Sequence, residues 1–306
     1  RGSLDYYHKR SEDVFSNKSL DPTTGFTSMF VNAASMTNNG IELQLTGEWL
    51  RANDKKALGW ETSLTLSHNS NKVTDVDNPA TRAYELIETP FKKGYPASAI
   101  WSYRFAGIDD GTYGAAGTTL WYGNANTIMH GVASSSPDVL VYSGQTDPKI
   151  VMGLDNRLRF YGFTLSVMLA YYGGHKMRAL PETETFAGTY GPIASYFLNS
   201  WTPDNHTSTP GWGQYSSTSI GREPSYSDIS VRKADFIKIR NIVLGYTFPQ
   251  EWLSPIGIRR VSLEFQINNP CFLWRANKVK VDPETLYSNR GVSLPASYVF
   301  TLNVNL

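Results

Sequence analysis

Side chains capable of acid–base or metal chemistry are dispersed along this chain rather than grouped in motifs. The histidines lack the spacing of a metal-binding motif such as HExxH, and they are His8, His68, His130, His175 and His206. The sequence contains no GxSxG, P-loop or GxGxxG motif, and its single cysteine, Cys271, excludes an intramolecular disulfide. We therefore predict a protein that is not an enzyme and that uses no metal ion and no cofactor.

Two sets of neighbouring carboxylates lie in segments without strand periodicity: Asp109-Asp110, and Asp75 with Asp77. Paired carboxylates could act as a general acid and base, or could bind calcium. A calcium site needs roughly six to eight oxygen ligands, however, and two carboxylates supply too few. We predict that these residues are solvated turn residues.

Flat aromatic side chains are concentrated in the same aperiodic segments. Tryptophan and tyrosine stack on sugars and are enriched where proteins bind each other. The alternative is that long loops need aromatic residues for their own small cores. The residues that we predict to contact a ligand or a partner protein are Trp121, Tyr122, Trp201, Trp212, Tyr215, Trp274 and Tyr287.

The elements that must hold these loops are strands. From Ser297 to Leu306, apolar residues alternate with polar ones, which is the two-residue period of a strand with one apolar face. Seven further segments repeat the pattern: Ser3–Arg10, Ile41–Trp49, Trp60–Ser67, Pro148–Phe160, Phe163–Tyr172, Ile242–Phe248 and Val261–Ile267. We predict about eight antiparallel strands.

The connections between these strands alternate between short and long. Connections two–three, four–five and six–seven are short, whereas one–two, three–four, five–six and seven–eight are long, with large loop regions at about 71–147, 173–233 and 268–295. In an up-and-down barrel, alternate connections lie at the same end. The pattern therefore predicts an all-β, membrane-spanning antiparallel barrel segment with long extracellular loops and short periplasmic turns.

Composition and face chemistry agree with this prediction. The chain is 13% aromatic and 18% charged, with a mean hydropathy of −0.33 and no run of about 18 apolar residues. The polar faces repeat charged and amide groups such as Glu42, Gln44 and Glu264, which suit a hydrated lumen better than a packed core. A net charge of +1 argues against nucleic-acid binding. Lys238 and Arg240 fall in the apolar phase, where we expect them to reach lipid headgroups.

Short sequence pieces across nearly the whole chain resemble, in order, the C-terminal barrel portion of SusC/RagA-type TonB-dependent outer-membrane transporters. The pieces are Val31-Asn32-Ala33, Asn39-Gly40-Ile41-Glu42-Leu43, Asn69 to Val73, Gly107-Ile108-Asp109, Asp147-Pro148-Lys149, Ala234 to Asn241, Leu244 to Pro249, Asp282-Pro283-Glu284 and Phe300 to Leu306. Two departures are the final Leu306, where an aromatic residue is usual, and Cys271-Phe272.

The resemblance implies a barrel of about 22 strands with a plugged lumen. Residues 1–306 would form its last third, as part of one transmembrane domain, in a protein that imports glycans or peptides. The implied partners are the N-terminal remainder of the transporter with its plug, a SusD-like lid lipoprotein, TonB acting through that remainder, and outer-membrane lipid or lipopolysaccharide. A dimer of transporter–lipoprotein pairs is expected, in the outer membrane of a Bacteroidetes-type Gram-negative bacterium. The chain opens directly on strand-like sequence, which we interpret as the interior of a longer protein.

Two other interpretations of the residues stay open at this point. The first is a complete eight-stranded outer-membrane barrel with a structural or adhesive role, since eight strands can close a barrel. The second is a soluble β-rich carbohydrate-binding module or glycoside hydrolase, in which one face of each sheet packs on a core and the other faces water.

Overall fold

The computed structural model describes residues 1–19, 23, 28–51, 57–179, 198–209, 223–279, 281–285 and 292–305. Strands dominate it. In chain order the strands and α-helices are β1 (Gly2–Ser19), β2 (Ser28–Leu50), β3 (Gly59–Val76), α1 (Ala83–Glu88), β4 (Ala99–Tyr103), β5 (Phe105–Ile108), β6 (Thr119–Tyr122), β7 (Ile128–Met129), β8 (Leu140–Gln145), β9 (Ile150–Phe160), β10 (Phe163–Gly173), β11 (Lys176–Arg178), β12 (Val231–Lys233), β13 (Phe236–Thr247), α2 (Gln250–Leu253), β14 (Arg260–Arg275) and β15 (Ser297–Asn305).

Eight of these strands form one antiparallel sheet in the order β1-β2-β3-β9-β10-β13-β14-β15. Each strand pairs with the next long strand along the chain, so the topology is up-and-down. The eight strands coincide with the eight alternating segments of the sequence, which confirms the predicted fold class. Within the described residues, β1 and β15 do not pair with each other, so the sheet is an open barrel segment rather than a closed eight-stranded barrel.

The two ends of the sheet differ in their connections. At the turn end, the strands are joined by residues 51–58, 161–162 and 248–259. At the opposite end, which we call the loop end, the connections are residues 20–27, 77–149, 174–235 and 276–296. The first of these is shorter than predicted, because β1 continues to Ser19 and β2 already begins at Ser28. The alternation of connection lengths holds for the other three.

Side chains from neighbouring strands align in rows across the sheet. One row, on what we call the apolar face, runs through directly paired residues, and these are Leu4, Leu43, Leu66, Met152, Tyr171, Ile237 and Trp274. The opposite, polar face carries the paired Glu61 and Arg157 and, farther along, Glu264. The apolar side chains are largely uncovered, and Phe300 in β15 is 74% exposed.

The buried core lies at the loop end rather than in the sheet. Residues 77–149, which we call the loop subdomain, pair β4 with β8 and join β5, β6 and β7 in a small sheet. Helix α1 packs on these strands through Ala83 and Leu86, which are both buried. A long connection cannot leave its backbone polar groups unpaired, so it has folded into a structure with its own core.

No helix within the described ranges is long and apolar enough to cross a membrane.

Candidate functional site

Of the two aromatic candidates in the loop subdomain, Trp121 is packed in its core and Tyr122 is partly exposed. Trp121 in β6 is 1% exposed, and its ring lies 6.1 Å from the ring of Tyr103 and 5.8 Å from that of Phe105. Its indole is therefore a core group of the loop subdomain and offers no surface to a ligand in this conformation. Internal packing was the alternative that the sequence left open for such residues.

Tyr122, the next residue, points to the opposite side of β6 and is half-buried. The guanidinium of Arg104 lies 5.4 Å from the centre of its ring, a cation–π arrangement. Arg104 is itself held in place, because its Nη1 donates to Oδ1 of Asn126 at 2.8 Å. A half-covered, fixed tyrosine ring can stack on a flat ligand, so contact with a substrate or lid protein stays a prediction for Tyr122.

Trp201 packs onto the same hairpin from a different segment of the chain. A Cβ added at Gly117, which has φ of +87°, would lie 2.8 Å from the Trp201 ring, so only glycine allows this approach. The Trp201 indole also stacks on the imidazole of His206, with 5.4 Å between the ring centres. Residues 198–209 are thereby docked on the turn between β5 and β6, the hairpin that carries Trp121 and Tyr122.

Trp274 lies in the main sheet, apart from the loop subdomain. The sequence placed it in a loop, but β14 continues to Arg275, and Trp274 pairs with Ile237 in the apolar row of the sheet. Its side chain is 46% exposed there. This position, at the loop end of the apolar face, is typical of the interfacial aromatic girdle of a membrane barrel. The remaining three candidates, Trp212, Tyr215 and Tyr287, lie outside the described residues.

A cluster of four charges at the loop end, of which Lys238 and Asp282 are buried, was not predicted from the sequence. Lys238 in β13 is 2% exposed, and its Nζ lies 2.9 Å from Oε2 of Glu284 and 3.6 Å from Oδ2 of Asp282. Arg240 completes the cluster, since its Nη1 donates to Oε2 of Glu284 at 2.9 Å and its Nη2 to Oε1. The predicted contact of Lys238 and Arg240 with lipid headgroups is therefore wrong.

A β-bulge explains the error. Met168 of β10 pairs with Asn241 of β13, but the next residue, Leu169, pairs with Ile239, so Arg240 is an extra residue in the strand. An extra residue interrupts the alternation, so a face assigned by counting back from Ile242 and Leu244 is wrong for the residues before Arg240. Lys238 is consequently paired with Ala170 on the polar face instead of pointing into lipid.

The charge cluster fixes a segment of the β14–β15 connection against the sheet. Burial raises the pKa of Glu284, but the hydrogen bonds from Arg240 and Lys238 outweigh burial and leave its pKa below the ordinary value. Oδ1 of Asp282, which is fully buried, accepts a hydrogen bond from the backbone N–H of Glu284 at 2.9 Å. Residues 281–285 are thus anchored by charge, in addition to the packing of Val281 against the buried cluster of Met177, Ala179 and Ala234.

Nearer the turn end, the polar face carries a second charged region. A depression of about 430 Å³ is bordered there by charged side chains, and these are Asp155, Arg157, Arg159, Arg260 and Glu264. The hydroxyl of Ser166 donates to Oδ2 of Asp155 at 3.3 Å. Charges of both signs in this density suit a water-filled lumen and would be unstable in a packed interior.

One carboxylate prediction needs correction. Asp109 is fully buried rather than solvated, and its Oδ1 accepts hydrogen bonds from the N–H groups of Gly111 at 2.9 Å and Tyr113 at 3.1 Å. Its other oxygen lies 3.2 Å from Nε2 of His130. Asp109 therefore organises the β5–β6 turn as an internal hydrogen-bond acceptor. Asp110 is exposed, as predicted, and Asp75 forms an exposed ion pair with Lys93 at 3.6 Å.

Within the parts of the chain that the structure describes, no three His, Cys, Asp or Glu residues are grouped as a metal site would require.

No protein-family model matches the chain. Individual proteins do match. The chain is 22% identical over 304 residues to TonB-dependent receptor P3 of Formosa agariphila, covering 94% of this chain and 29% of the receptor. It is 26% identical over 340 residues to receptor P39 of the same organism, with 95% and 31% covered.

A third relative is TonB-dependent receptor SusC of Bacteroides thetaiotaomicron, which is 20% identical over 327 residues, with all of this chain and 30% of the receptor covered. The chain thus spans about three tenths of the length of the relatives it matches. These relatives are receptors and not enzymes, in agreement with the predicted absence of catalysis.

Solved structures extend the likeness to the fold. The structure of the RagAB peptide transporter superposes with a TM-score of 0.67 and 22% identity, covering 89% of this chain and 30% of that one. The RagAB importer in its "open-open" state gives a TM-score of 0.64 and 23% identity over 92% of this chain and 30% of that one. The likeness confirms the outer-membrane barrel fold predicted from strand alternation.

Proposed function

Starting from the chain's relationship to TonB-dependent receptors of the SusC and RagA type, we propose that residues 1–306 form the C-terminal barrel wall of an outer-membrane importer. In this role the polar face borders the path of an imported glycan or peptide, and the apolar face contacts lipid. The loop end faces outward, and the turn end faces the periplasm. The organism is then a Bacteroidetes-type Gram-negative bacterium.

The observation that carries the proposal is the uncovered apolar face. On β15, Tyr298, Phe300 and Leu302 are 65%, 74% and 63% exposed, and they continue the rows of apolar side chains from the other strands. Water-soluble proteins rarely expose a continuous apolar surface of this extent. A hydrocarbon environment accounts for it, because lipid covers the face without any further protein layer.

The partners follow from the same relationship. A barrel wall that is open at β1 and β15 needs further strands on both edges, since unpaired backbone groups are costly in lipid. We assign those strands, and a plug that connects to TonB, to the remainder of the transporter. The loop subdomain and the docked segment 198–209 give the outer end a folded surface, and this surface is where we place a SusD-like lid lipoprotein.

The proposal is tested by extracting the protein from membranes of its native organism. We expect the chain to fractionate with the outer membrane and to remain in one detergent-solubilised particle with further barrel strands and a lipoprotein. Native mass measurement followed by denaturing separation identifies these components. Recovery of the chain in the soluble fraction without detergent would contradict the membrane assignment.

Transport itself requires a second experiment. A strain that lacks the gene is grown on mixed oligopeptides and, separately, on mixed oligosaccharides as the limiting nutrient. Growth should fail on one of the two pools and return when the gene is restored. Equal growth of the mutant and the parent on both pools would count against import of either class.

A further inference from the structure

A cavity of about 430 Å³ opens at the loop end, where three stretches of the chain meet, and we call it the loop-end pocket. One wall is the end of β8 with the residues that follow it, and another is the β11–β12 ladder. Its charged and titratable lining residues are Lys149, His175, Lys176, Lys233 and Asp235. The pocket is separate from the Lys238–Glu284 cluster and from the aromatic cluster around Trp121.

Two of its lysines face each other directly. Lys176 and Lys233 are the first residue of β11 and the last residue of β12, and they are cross-strand partners in this short ladder. Like charges directly opposite each other on neighbouring strands destabilise the pairing. A ladder of only three residue pairs has little pairing free energy with which to offset that repulsion. An anion held between the two ammonium groups would remove the repulsion.

Two glycines let the lysine stems lie close to the backbone around the pocket. A Cβ added at Gly144 would lie 2.7 Å from the side chain of Lys176, and one added at Gly174 would lie 3.0 Å from that of Lys149. Both glycines have positive φ, of +134° and +80°. The local backbone is therefore one that other residues rarely adopt, and it brings the stems of two cations to the same cavity.

The lining of the pocket carries more cations than carboxylates. Asp235 is the one carboxylate in the lining that the structure describes, and its Oδ1 already accepts from the backbone N–H groups of Gly174 at 2.8 Å and His175 at 3.3 Å. Within the described ranges, the ammonium groups of Lys149, Lys176 and Lys233 form no ion pair with a carboxylate. Three cations against one carboxylate leave a net charge of +2 in the lining.

We propose that the loop-end pocket binds an anionic oxygen group, a carboxylate or a sulfate, of a water-soluble ligand that approaches from the loop end. Lys176 and Lys233 bracket the group, and Lys149 provides the third charge. Ammonium groups suit this chemistry because each offers several freely rotating N–H donors to an oxyanion. The assignment goes beyond import, and it is tested without measuring transport.

The test uses the complete detergent-purified transporter and inorganic sulfate as the probe. Amide hydrogen exchange is followed by mass spectrometry in peptides that cover residues 176–178 and 231–233, in sodium sulfate and in sodium chloride of equal ionic strength. Sulfate should slow this exchange by the factor 1 + [L]/Kd, which is about threefold at a sulfate concentration of twice the Kd. Glucuronate, as a carboxylate probe, should have the same effect.

Three sets of variants make the result specific. The double variant Lys176→Gln/Lys233→Gln should lose the sulfate effect while its exchange in chloride stays equal or becomes slower, because the repulsion is gone. Lys149→Gln, which leaves the ladder intact, should weaken sulfate binding without changing exchange in chloride. The matched control Lys9→Gln/Lys72→Gln removes two exposed lysines from β1 and β3 and should keep the full effect.

Any of three results would overturn the proposal. The first is equal exchange of the wild-type protein in sulfate and chloride, and the second is an equal sulfate effect in the Lys176→Gln/Lys233→Gln variant. The third is a sulfate effect that appears only after lipopolysaccharide has been stripped from the particle, together with less co-purifying lipopolysaccharide in the double variant. That pattern would assign the pocket to a lipid phosphate rather than to a soluble ligand.

Discussion

Lys238 and Glu284 are 46 residues apart in the chain, and Nζ of Lys238 donates to Oε2 of Glu284 at 2.9 Å. The first residue belongs to a strand of the barrel wall, and the second belongs to the connection between the last two strands. The contact therefore joins the wall to a loop through charge, in a place where Lys238 and Asp282 are almost completely removed from water.

Replacing Lys238 by methionine should release the anchored segment 281–285. Methionine keeps much of the volume but leaves Asp282 buried without a cation, and breaking a buried pair in this way costs about 3–5 kcal/mol. We expect amide exchange in the peptide covering 281–285 to become faster by several orders of magnitude in the detergent-purified transporter. The matched control is Lys278→Met, an exposed lysine of the same connection, which should leave exchange unchanged. Unchanged exchange in Lys238→Met would mean that other contacts anchor the segment.

The same anchor should weaken in acid. Burial raises the pKa of Glu284, but hydrogen bonds from Arg240 and Lys238 dominate, so its folded-state pKa lies below the ordinary value of 4.5. The unfolded segment therefore binds the proton more tightly, and the anchor contributes stability that is complete above pH 4.5 and is lost as the pH falls through the folded-state pKa. Protection of the 281–285 peptide, corrected for intrinsic exchange, should fall as the pH drops below this value.

Glu284→Gln provides the comparison for the acid experiment. The amide cannot ionise, so this variant should lose part of the protection already at neutral pH and should lose less than the wild type on acidification. If wild-type protection stays constant from about pH 6 to pH 3, the carboxylate does not hold the segment.

A half-buried amide on the apolar face gives a third prediction. Asn156 of β9 lies in this face, and its Oδ1 accepts from the hydroxyl of Thr62 at 2.7 Å and from the indole N–H of Trp60 at 3.3 Å. Thr62→Val should lower the free energy of unfolding by about 0.5–1.5 kcal/mol, because the amide oxygen loses its shorter partner. Urea unfolding of the transporter in detergent measures the change.

A second substitution shows whether the pair is responsible. Adding Asn156→Leu to Thr62→Val also removes the amide oxygen, which the single variant leaves with only the longer bond from Trp60, so the double variant should regain most of the lost stability. Thr65→Val, on the polar face of the same strand, is the control and should change little. Strictly additive losses in the double variant would rule out coupling between Thr62 and Asn156.

The adjacent residues Trp121 and Tyr122 should respond differently to alanine. Trp121 is buried, and truncating a buried tryptophan costs about 3–5 kcal/mol, which is enough to open a domain as small as the loop subdomain. Limited proteolysis should then cut within residues 77–149. Tyr122→Ala should leave the subdomain resistant to proteolysis, and under the proposed function it should weaken binding of the proposed substrate or lid lipoprotein. Rapid proteolysis of both variants would place Tyr122 in the core as well.

The barrel wall could be predicted because apolar and polar residues alternate along each strand, a pattern that depends only on residues adjacent in the sequence. In Phe163–Gly173, for example, the alternation of Phe163, Leu165 and Val167 with polar or small residues follows directly from the pleat of a strand with lipid on one side. The order of the strands then followed from the alternation of short turns and long loops between antiparallel neighbours. The sequence pattern gave less indication that β3, β14 and the β1–β2 hairpin continue beyond the predicted segments. Outside the lipid, both faces of a strand contact water or protein, so apolar and polar residues no longer alternate.

The sites could not be predicted in the same way. The Lys238 cluster depends on a bulge at Arg240 that periodicity does not reveal, and the contacts of Asp109 depend on how a turn folds back on itself. Lys176 and Lys233 are 57 positions apart, so their pairing follows only from the ladder between β11 and β12. The sequence did mark several of these positions, through the pieces Gly107-Ile108-Asp109, Ala234 to Asn241 and Asp282-Pro283-Glu284, but it did not indicate their partners.

The bulge at Arg240 also bears on how such chains diverge. Because the strand absorbs one surplus residue at that point, residues before and after it keep their sides of the wall, whether or not Arg240 is there. β13 can therefore gain or lose a residue here through mutation without exchanging lipid contacts for lumen contacts. In a regular stretch of strand, a single insertion that is not absorbed by a bulge would move the side chains on one side of it to the opposite face of the sheet. At position 240, a change in the length of the strand therefore leaves the lipid-facing and lumen-facing sets of residues unchanged.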